Sequence, residues 1–162
     1  MEVTDRAVVE LLREVEDPEV PVSIVDLGIV RRCEVRGEAV RVQLAPTRAA
    51  CPAREYIARR VEERLRQALG GGFRVEVEWL PSAAWSVDEV SPAGRSAFRE
   101  YGIAIPEPGA DGRRTVRCPY CGSADTRPVL QFGTAVCRAV RYCAGCRNPF
   151  EEMRWNEAPP AS

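Results

Sequence analysis

The sequence contains no histidine, and its 23 basic residues are all arginine, so lysine is missing as well. No imidazole can serve as general base, as partner to a serine or cysteine nucleophile, or as metal ligand. A lysine Schiff base is excluded too. Long apolar runs are also missing. No segment approaches the roughly 18 apolar residues of a membrane-spanning helix, and residues 1–20 carry Glu2, Asp5, Glu10 and Glu14 where a secretory signal would have an apolar core. The expectation is a cytoplasmic chain without membrane contact, in which any chemistry falls to cysteine, carboxylate and arginine.

Cysteine is plentiful, with seven in 162 residues. Without a secretion signal these thiols point to metal or redox chemistry before disulfides, because the cytosol keeps thiols reduced. Their placement divides the chain. Cys33 and Cys51 stand alone in the first part, whereas Cys118, Cys121, Cys137, Cys143 and Cys146 crowd together near the end. Between the groups, Ile103-Ala104-Ile105-Pro106-Glu107-Pro108-Gly109-Ala110-Asp111-Gly112 is rich in proline and glycine and without periodicity. The expected organisation is a domain over 1–102, a linker over 103–114, a small metal-stabilised domain over 115–156 and a tail over 157–162.

In the first part Thr4 is placed to cap a helix with apolar positions Val8, Leu11, Leu12 and Val15. Asp17-Pro18-Glu19-Val20-Pro21 cannot continue it, because each proline disfavours the α region in the residue before. A hairpin follows, one strand near Ile29–Val35 and one alternating through Val40, Val42 and Leu44, turned by Arg36-Gly37-Glu38. Ile57, Val61, Leu65 and Leu69 at four-residue spacing predict a helix that stops at Gly70-Gly71-Gly72. Phe73, Val75, Val77 and Trp79 predict a third strand, and Ser91-Pro92 opens a short helix closed by Gly102. The fold class is α+β: an α-β-β-α-β-α domain with a small mixed sheet, followed by a β-ribbon.

Ala45–Ala53 closes the second strand and opens the long helix. Cys51 falls at or beside the N-cap, with Pro52 at the first helical position. Unpaired amides, the positive end of the helix and Arg48 and Arg54 would stabilise a thiolate there, which makes Cys51 the candidate functional thiol. The plainer reading is a small buried hydrophobe under a turn. Asp17 and Asp26 also lie on loops, where function concentrates, although turn and cap chemistry is the better account of both. Cys33 alternates with Val35 in a strand and reads as core. Trp79 and Trp85 read as packing, or as an edge for a partner.

Cys118-Pro119-Tyr120-Cys121 and Cys143-Ala144-Gly145-Cys146 are two C-x-x-C knuckles, each presenting two thiolates to one ion. Gly122 and Gly145 relieve the tight backbone around them. Zinc is the metal such a closed four-thiolate site suits best, but a rubredoxin-like iron or an iron-sulfur cluster takes the same ligands, and the surplus Cys137 keeps an additional ligand open. Strands are expected at Arg127–Phe132, Cys137–Tyr142 and Phe150–Trp155, with too little apolar material for a self-sufficient core. From residue 103 onward eight arginines face six acids, and four thiolates on a divalent ion contribute two more negative charges. That argues against phosphate-backbone recognition, leaving only Arg138, Arg141 and Arg147 as a local patch.

Asp17-Pro18-Glu19-Val20-Pro21, Ile24-Val25-Asp26-Leu27-Gly28-Ile29-Val30, Pro46-Thr47 with Cys51-Pro52-Ala53, and Trp79-Leu80-Pro81 through Trp85 resemble the small domain of SufT-type iron-sulfur assembly accessory proteins. Phe132-Gly133, Thr134-Ala135-Val136-Cys137-Arg138-Ala139 and Pro149-Phe150 around the second knuckle extend the likeness to residues 8–155. With them the chain is similar to the D-subunit family of bacterial phenylacetyl-CoA epoxidase systems. The resemblance implies a non-catalytic accessory protein of aerobic phenylacetate breakdown, serving a di-iron oxygenase made of other subunits. It implies that Cys51, supported by Thr47, Asp17 and Asp26, acts in iron-sulfur or iron-centre maturation, and that the partners are oxygenase subunits or iron-sulfur assembly proteins, with self-association open. Where the family commonly has tyrosine and a small residue before the cysteine, this chain has Arg48-Ala49-Ala50. The competing reading is a structural subunit holding the oxygenase together through the ribbon and the Trp79/Trp85 edge.

Overall fold

The computed structural model describes residues 3–155. Thr4 caps α1 (Asp5–Leu12), its hydroxyl accepting from the Ala7 N–H at 3.2 Å, which satisfies one of the amides a helix start leaves unpaired. Val8, Leu12 and Val15 are buried. The Asp17–Val22 segment loops back on itself, the Asp17 N–H donating to the Val22 carbonyl at 3.0 Å. β1 (Val30–Arg36) and β2 (Ala39–Leu44) form an antiparallel hairpin that turns at Gly37, with φ 59°. α2 (Arg54–Leu69) then carries the chain to β3 (Arg74–Trp79), which lies parallel to β2. The result is a mixed sheet of order β1-β2-β3.

Val40, Val42 and Leu44 of the central strand are fully buried, as are Val61 and Leu65 of α2. Burying each such side chain stabilises the fold by about 1.5–3 kcal/mol. α1 packs on β1 and on α2, and α2 packs on β3, so both helices contribute to one core. Two short 3₁₀ turns, Ser82–Ala84 and Val87–Glu89, lead to α3 (Pro92–Glu100). The expected α-β-β-α-β-α order is observed.

The long helix starts later than its sequence suggests. Pro52 lies outside it, and Ala53 takes the cap position with no side-chain cap bond. A turn closed by the Cys51 N–H on the Arg48 carbonyl at 3.1 Å uses up the residues before it, which places Cys51 ahead of the helix rather than on its cap.

The chain divides into two compact units. One runs through Trp85 and includes Glu89–Gly94; the other combines Ser86–Asp88 with the chain from Arg95 onward. In the second, β4 (Ile103–Ala104), β7 (Thr126–Leu130), β8 (Arg138–Cys143) and β9 (Pro149–Met153) form a sheet of order β4-β9-β8-β7, while β5 (Glu107–Pro108) pairs with β6 (Arg114–Thr115). The three later strands match expectation. The stretch 103–114 differs from the linker expected there: Ile103, Ala104 and Ile105 are buried, and β4 pairs in parallel with Glu151 and Glu152 of β9. Its prolines and glycines masked an apolar triplet that the small ribbon needs, for its core is little more than Ala104, Val116, Cys118, Cys143 and Phe150.

Candidate functional site

In the first unit, Ala45 and Pro46 are buried where β2 ends, held by the Ala45 N–H on the Ile29 carbonyl at 2.8 Å, and Thr47 sits half-buried in the bend that follows. Cys51 is half-buried beyond it. Burial pushes its thiol pKa up from the ordinary 9.0. The Ala53 N–H, bonded to the sulfur, and the Arg54 charge act the other way, whereas Asp17 and Glu19 push it further up. The helix start and arginines therefore do not produce the activated thiolate expected of them, because desolvation and two carboxylates outweigh them. Arg54 itself stacks over the Trp79 ring, 5.2 Å from its centroid.

Asp17 reaches this neighbourhood through local turn chemistry. Its Oδ1 accepts from the N–H groups of Glu19 at 2.8 Å and Val20 at 3.3 Å, which aims the loop containing Glu19. Asp17 stood out in the sequence and Glu19 did not, although the acid two residues on in Asp17-Pro18-Glu19 was the available signal. Asp26 has a different place. Its Oδ1 accepts from Ser91 Oγ at 2.7 Å and Arg13 Nη1 at 3.2 Å, and its carbonyl accepts the Ser91 N–H at 2.8 Å. The next two residues complete a clasp: Trp85 Nε1 donates to the Leu27 carbonyl at 2.9 Å, and Gly28, at φ 80°, sits where a Cβ would come within 2.5 Å of the Glu89 carbonyl oxygen. Asp26 thus holds a loop in place, and Trp85, buried, belongs to the packing. Cys33 is core, its thiol pushed up to about 11 chiefly by burial.

In the second unit the four knuckle sulfurs of Cys118, Cys121, Cys143 and Cys146 converge, all within 4.8 Å of one another. Cys118 Sγ lies 3.6 Å from Cys146 Sγ, and Cys121 Sγ lies 3.5 Å from Cys143 Sγ. A tetrahedral ion with metal–sulfur bonds of about 2.3 Å requires sulfurs about 3.8 Å apart, so the donor set fits a closed tetrathiolate site. Sulfurs so close share protons. The Ser123 N–H draws the Cys121 thiol down, but the hydrogen bond with Cys143, burial and the other thiols together push it up to about 11. Burial acts to raise Cys146, yet Asn148 and the neighbouring thiols draw it down to about 7.

The two knuckles repeat one backbone pattern. The Gly122 N–H donates to the Cys118 carbonyl and the Arg147 N–H to the Cys143 carbonyl, each at 2.9 Å; the Cys118 N–H reaches the Ser123 carbonyl at 2.9 Å and the Cys143 N–H reaches that of Asn148 at 3.0 Å. Each turn needs a positive φ just after its second cysteine, supplied by Gly122 at 77° and by Arg147 at 61°. The glycine expected to do this in the second knuckle, Gly145, has another use: a Cβ there would lie 3.1 Å from Ser123 Cβ. Cys137 precedes β8 whereas Cys143 ends it, about 20 Å away along an extended strand. It is not among the four converging sulfurs. Arg138 and Arg141 are engaged with Glu151 at 2.8 Å and Glu152 at 3.2 Å, so they do not join Arg147 in a phosphate-facing patch.

Residues 5–79 match the family model described as iron-sulfur cluster assembly protein, and residues 106–154 match that of the PaaD zinc beta ribbon domain. The chain is 36% identical over 148 residues, 89% of its own length and 88% of the relative's, to the Escherichia coli (strain K12) protein named for the D-subunit of 1,2-phenylacetyl-CoA epoxidase. The chain belongs to this D-subunit family. The first domain alone has wider kin: an Fe-S protein maturation auxiliary factor of Porphyromonas gingivalis is 31% identical over 90 residues, 54% of this chain and 84% of the relative. A solved domain of unknown function, DUF59, from Bacillus anthracis shares the fold, with a TM-score of 0.53 at 24% identity over 58% of this chain and 90% of that one. The four-cysteine cluster lies within the residues matched by the zinc beta ribbon model, which supports metal binding there, and the relatives' names are those of an epoxidase subunit and an iron-sulfur maturation auxiliary factor. Among the described residues no helix is long and apolar enough to cross a membrane.

Proposed function

We infer that this chain is a maturation factor for the phenylacetyl-CoA ring-epoxidising di-iron oxygenase, transferring iron or an iron-sulfur species through Cys51 while the C-terminal ribbon, closed by zinc, docks on the client. The observation that carries the reading is the electrostatic setting of Cys51. Asp17 and Glu19 disfavour a bare thiolate, yet the same two negative charges favour a cation bound to that sulfur. Metal binding releases the thiol proton, so a raised pKa makes the site a weak nucleophile at rest and a conditional metal ligand. That suits a transferable cargo better than covalent catalysis, and the lack of histidine and lysine points the same way. Thr47 lies in the bend ahead of the thiol. The thiol lies in one compact unit and the metal cluster in the other.

Docking through the ribbon is supported by its exposed apolar side chains. Val129, Leu130, Phe132 and Val136 are 48, 58, 59 and 38% exposed, on or beside the edge strand β7. The same surface would serve the alternative role, a structural component of the oxygenase complex, and Cys51 separates the two. Co-expressed with the oxygenase subunits in the cytoplasm, Cys51→Ala should leave co-purification intact and abolish iron loading and activity. Full iron loading and activity with Cys51→Ala would leave only the structural role.

A further inference from the structure

β7 is an edge strand of the ribbon sheet, yet it is poorly suited to receive a partner strand. Pro128 has no N–H to offer, and the register with β8 breaks between Pro128 and Leu130. Recognition at this edge therefore falls to side chains. Beside it lies a cavity of about 540 Å³, within the roughly 300–1,000 Å³ typical of ligand pockets, lined by Val129, Leu130 and Trp155 together with Gln131, Glu152 and Arg154. The Glu152 side chain is 7% exposed and its Oε1 accepts from Arg141 Nη1 at 3.2 Å, but its Oε2 is buried with no hydrogen-bond partner among the described residues. A buried acceptor left without a donor is costly, and native folds rarely carry one without a reason. The last torsion of a glutamate is broad, so a small turn of the carboxylate brings Oε2 to the pocket wall that its side chain already forms. Arg154 is engaged elsewhere, its guanidinium 4.5 Å from the Phe132 ring centroid and its Nη1 donating to the Val136 carbonyl at 3.1 Å. Trp155 has the Arg114 guanidinium over its ring, 5.4 Å from the centroid.

We propose that this cavity receives a tyrosine or tryptophan side chain of the oxygenase client, its ring lying against Leu130 and Trp155 and its O–H or N–H donating to Glu152 Oε2. Such an anchor presupposes the docking role of the ribbon and names the residue class at its centre. Arg141 already pairs with the carboxylate and Arg154 stands in the same wall, so a neutral donor fits where a further cation would meet like charge. An aromatic side chain with one polar hydrogen fills apolar volume and supplies that donor, which is why tyrosine and tryptophan are enriched among the residues that dominate interfaces. A free small molecule would leave the exposed Val129, Phe132 and Val136 uncovered. A protein surface covers them as its anchor enters the cavity.

The test is titration of the full-length, metal-loaded chain with p-cresol, p-methylanisole and benzylamine, followed at the amide resonances of Leu130, Ala139 and Glu152. The cresol should bind saturably and about ten-fold more tightly than p-methylanisole, which has the same ring without the donor, and benzylamine should bind more weakly than the cresol. Leu130→Ala, at an exposed position, should weaken the cresol about three-fold or more. Arg141→Met combined with Glu152→Leu replaces the ion pair by apolar side chains and should erase the preference, so that the two ring compounds bind alike. The same double variant, with metal content unchanged, should bind the purified oxygenase subunits about ten-fold more weakly than the unaltered chain. Equal binding of p-cresol and p-methylanisole, or tighter binding of benzylamine, would overturn the anchor and leave docking through the ribbon in place, as would equal affinity of the double variant for the oxygenase subunits. An unaltered chain that binds none of the oxygenase subunits would remove the docking role and the anchor together.

Discussion

Ser91 Oγ donates to Asp26 Oδ1 at 2.7 Å, across 65 positions of sequence. The Ser91 hydroxyl also accepts from the Gly94 N–H at 3.0 Å, so one side chain caps the start of α3 and fastens it to the Asp26 loop. Asp26→Ala should lower the unfolding free energy by about 1–3 kcal/mol, since it leaves partly buried donors unpaired, and Asp26→Asn should recover part of the loss through its amide oxygen. Urea unfolding followed by tryptophan fluorescence reads both. Equal stability of all three proteins would show that the clasp contributes nothing.

The convergence of four sulfurs, with Cys137 beyond their reach, makes ligand identity testable. Cys121→Ser should abolish stoichiometric metal binding and unfold the ribbon, because metal binding contributes on the order of 10 kcal/mol to folding in small domains of this kind. Cys137→Ser should keep one ion per chain. Elemental analysis with circular dichroism decides it, and loss of the ion from Cys137→Ser would make Cys137 a ligand after all.

Cys51 holds its proton more tightly in the fold than in the unfolded chain. The stability this contributes is present below the ordinary pKa of 9.0 and is lost as pH rises through the higher folded value. Alkylation by iodoacetamide at about pH 8 should accordingly be slow. Asp17→Asn, which keeps the turn and removes the charge, should speed it about two- to five-fold, and Arg54→Ala should slow it, with rates read at the Cys51 peptide by mass spectrometry. A slower rate in Asp17→Asn would contradict the electrostatic assignment.

Arg141 and Glu152 form a mostly buried ion pair, with side chains 16 and 7% exposed. Burial raises the Glu152 pKa and Arg141 lowers it, the burial winning. Removing only the arginine, as in Arg141→Met, should cost the ribbon about 3–5 kcal/mol by leaving a carboxylate buried alone, whereas Arg141→Met combined with Glu152→Leu should restore most of it. Thermal unfolding of the metal-loaded proteins measures the difference; additive losses in the double variant would show that the pair is not coupled.

Periodicity and spacing made much of this protein legible before any coordinates. Alternation through Val40, Val42 and Leu44, the four-residue rhythm of Ile57, Val61 and Leu65, and two C-x-x-C knuckles each report a local backbone geometry that neighbouring residues enforce by themselves. Tertiary structure decided what depends on distant partners. It buried Ile103 and Ala104 against β9, gave Asp26 to Ser91, separated Cys137 from the metal cluster, and half-buried Cys51 beside Asp17 and Glu19, so that desolvation, helped by those two charges, reverses the expected direction of its pKa. Desolvation and charge act through space, so the state of a thiol is set by residues that its own sequence neighbourhood does not contain.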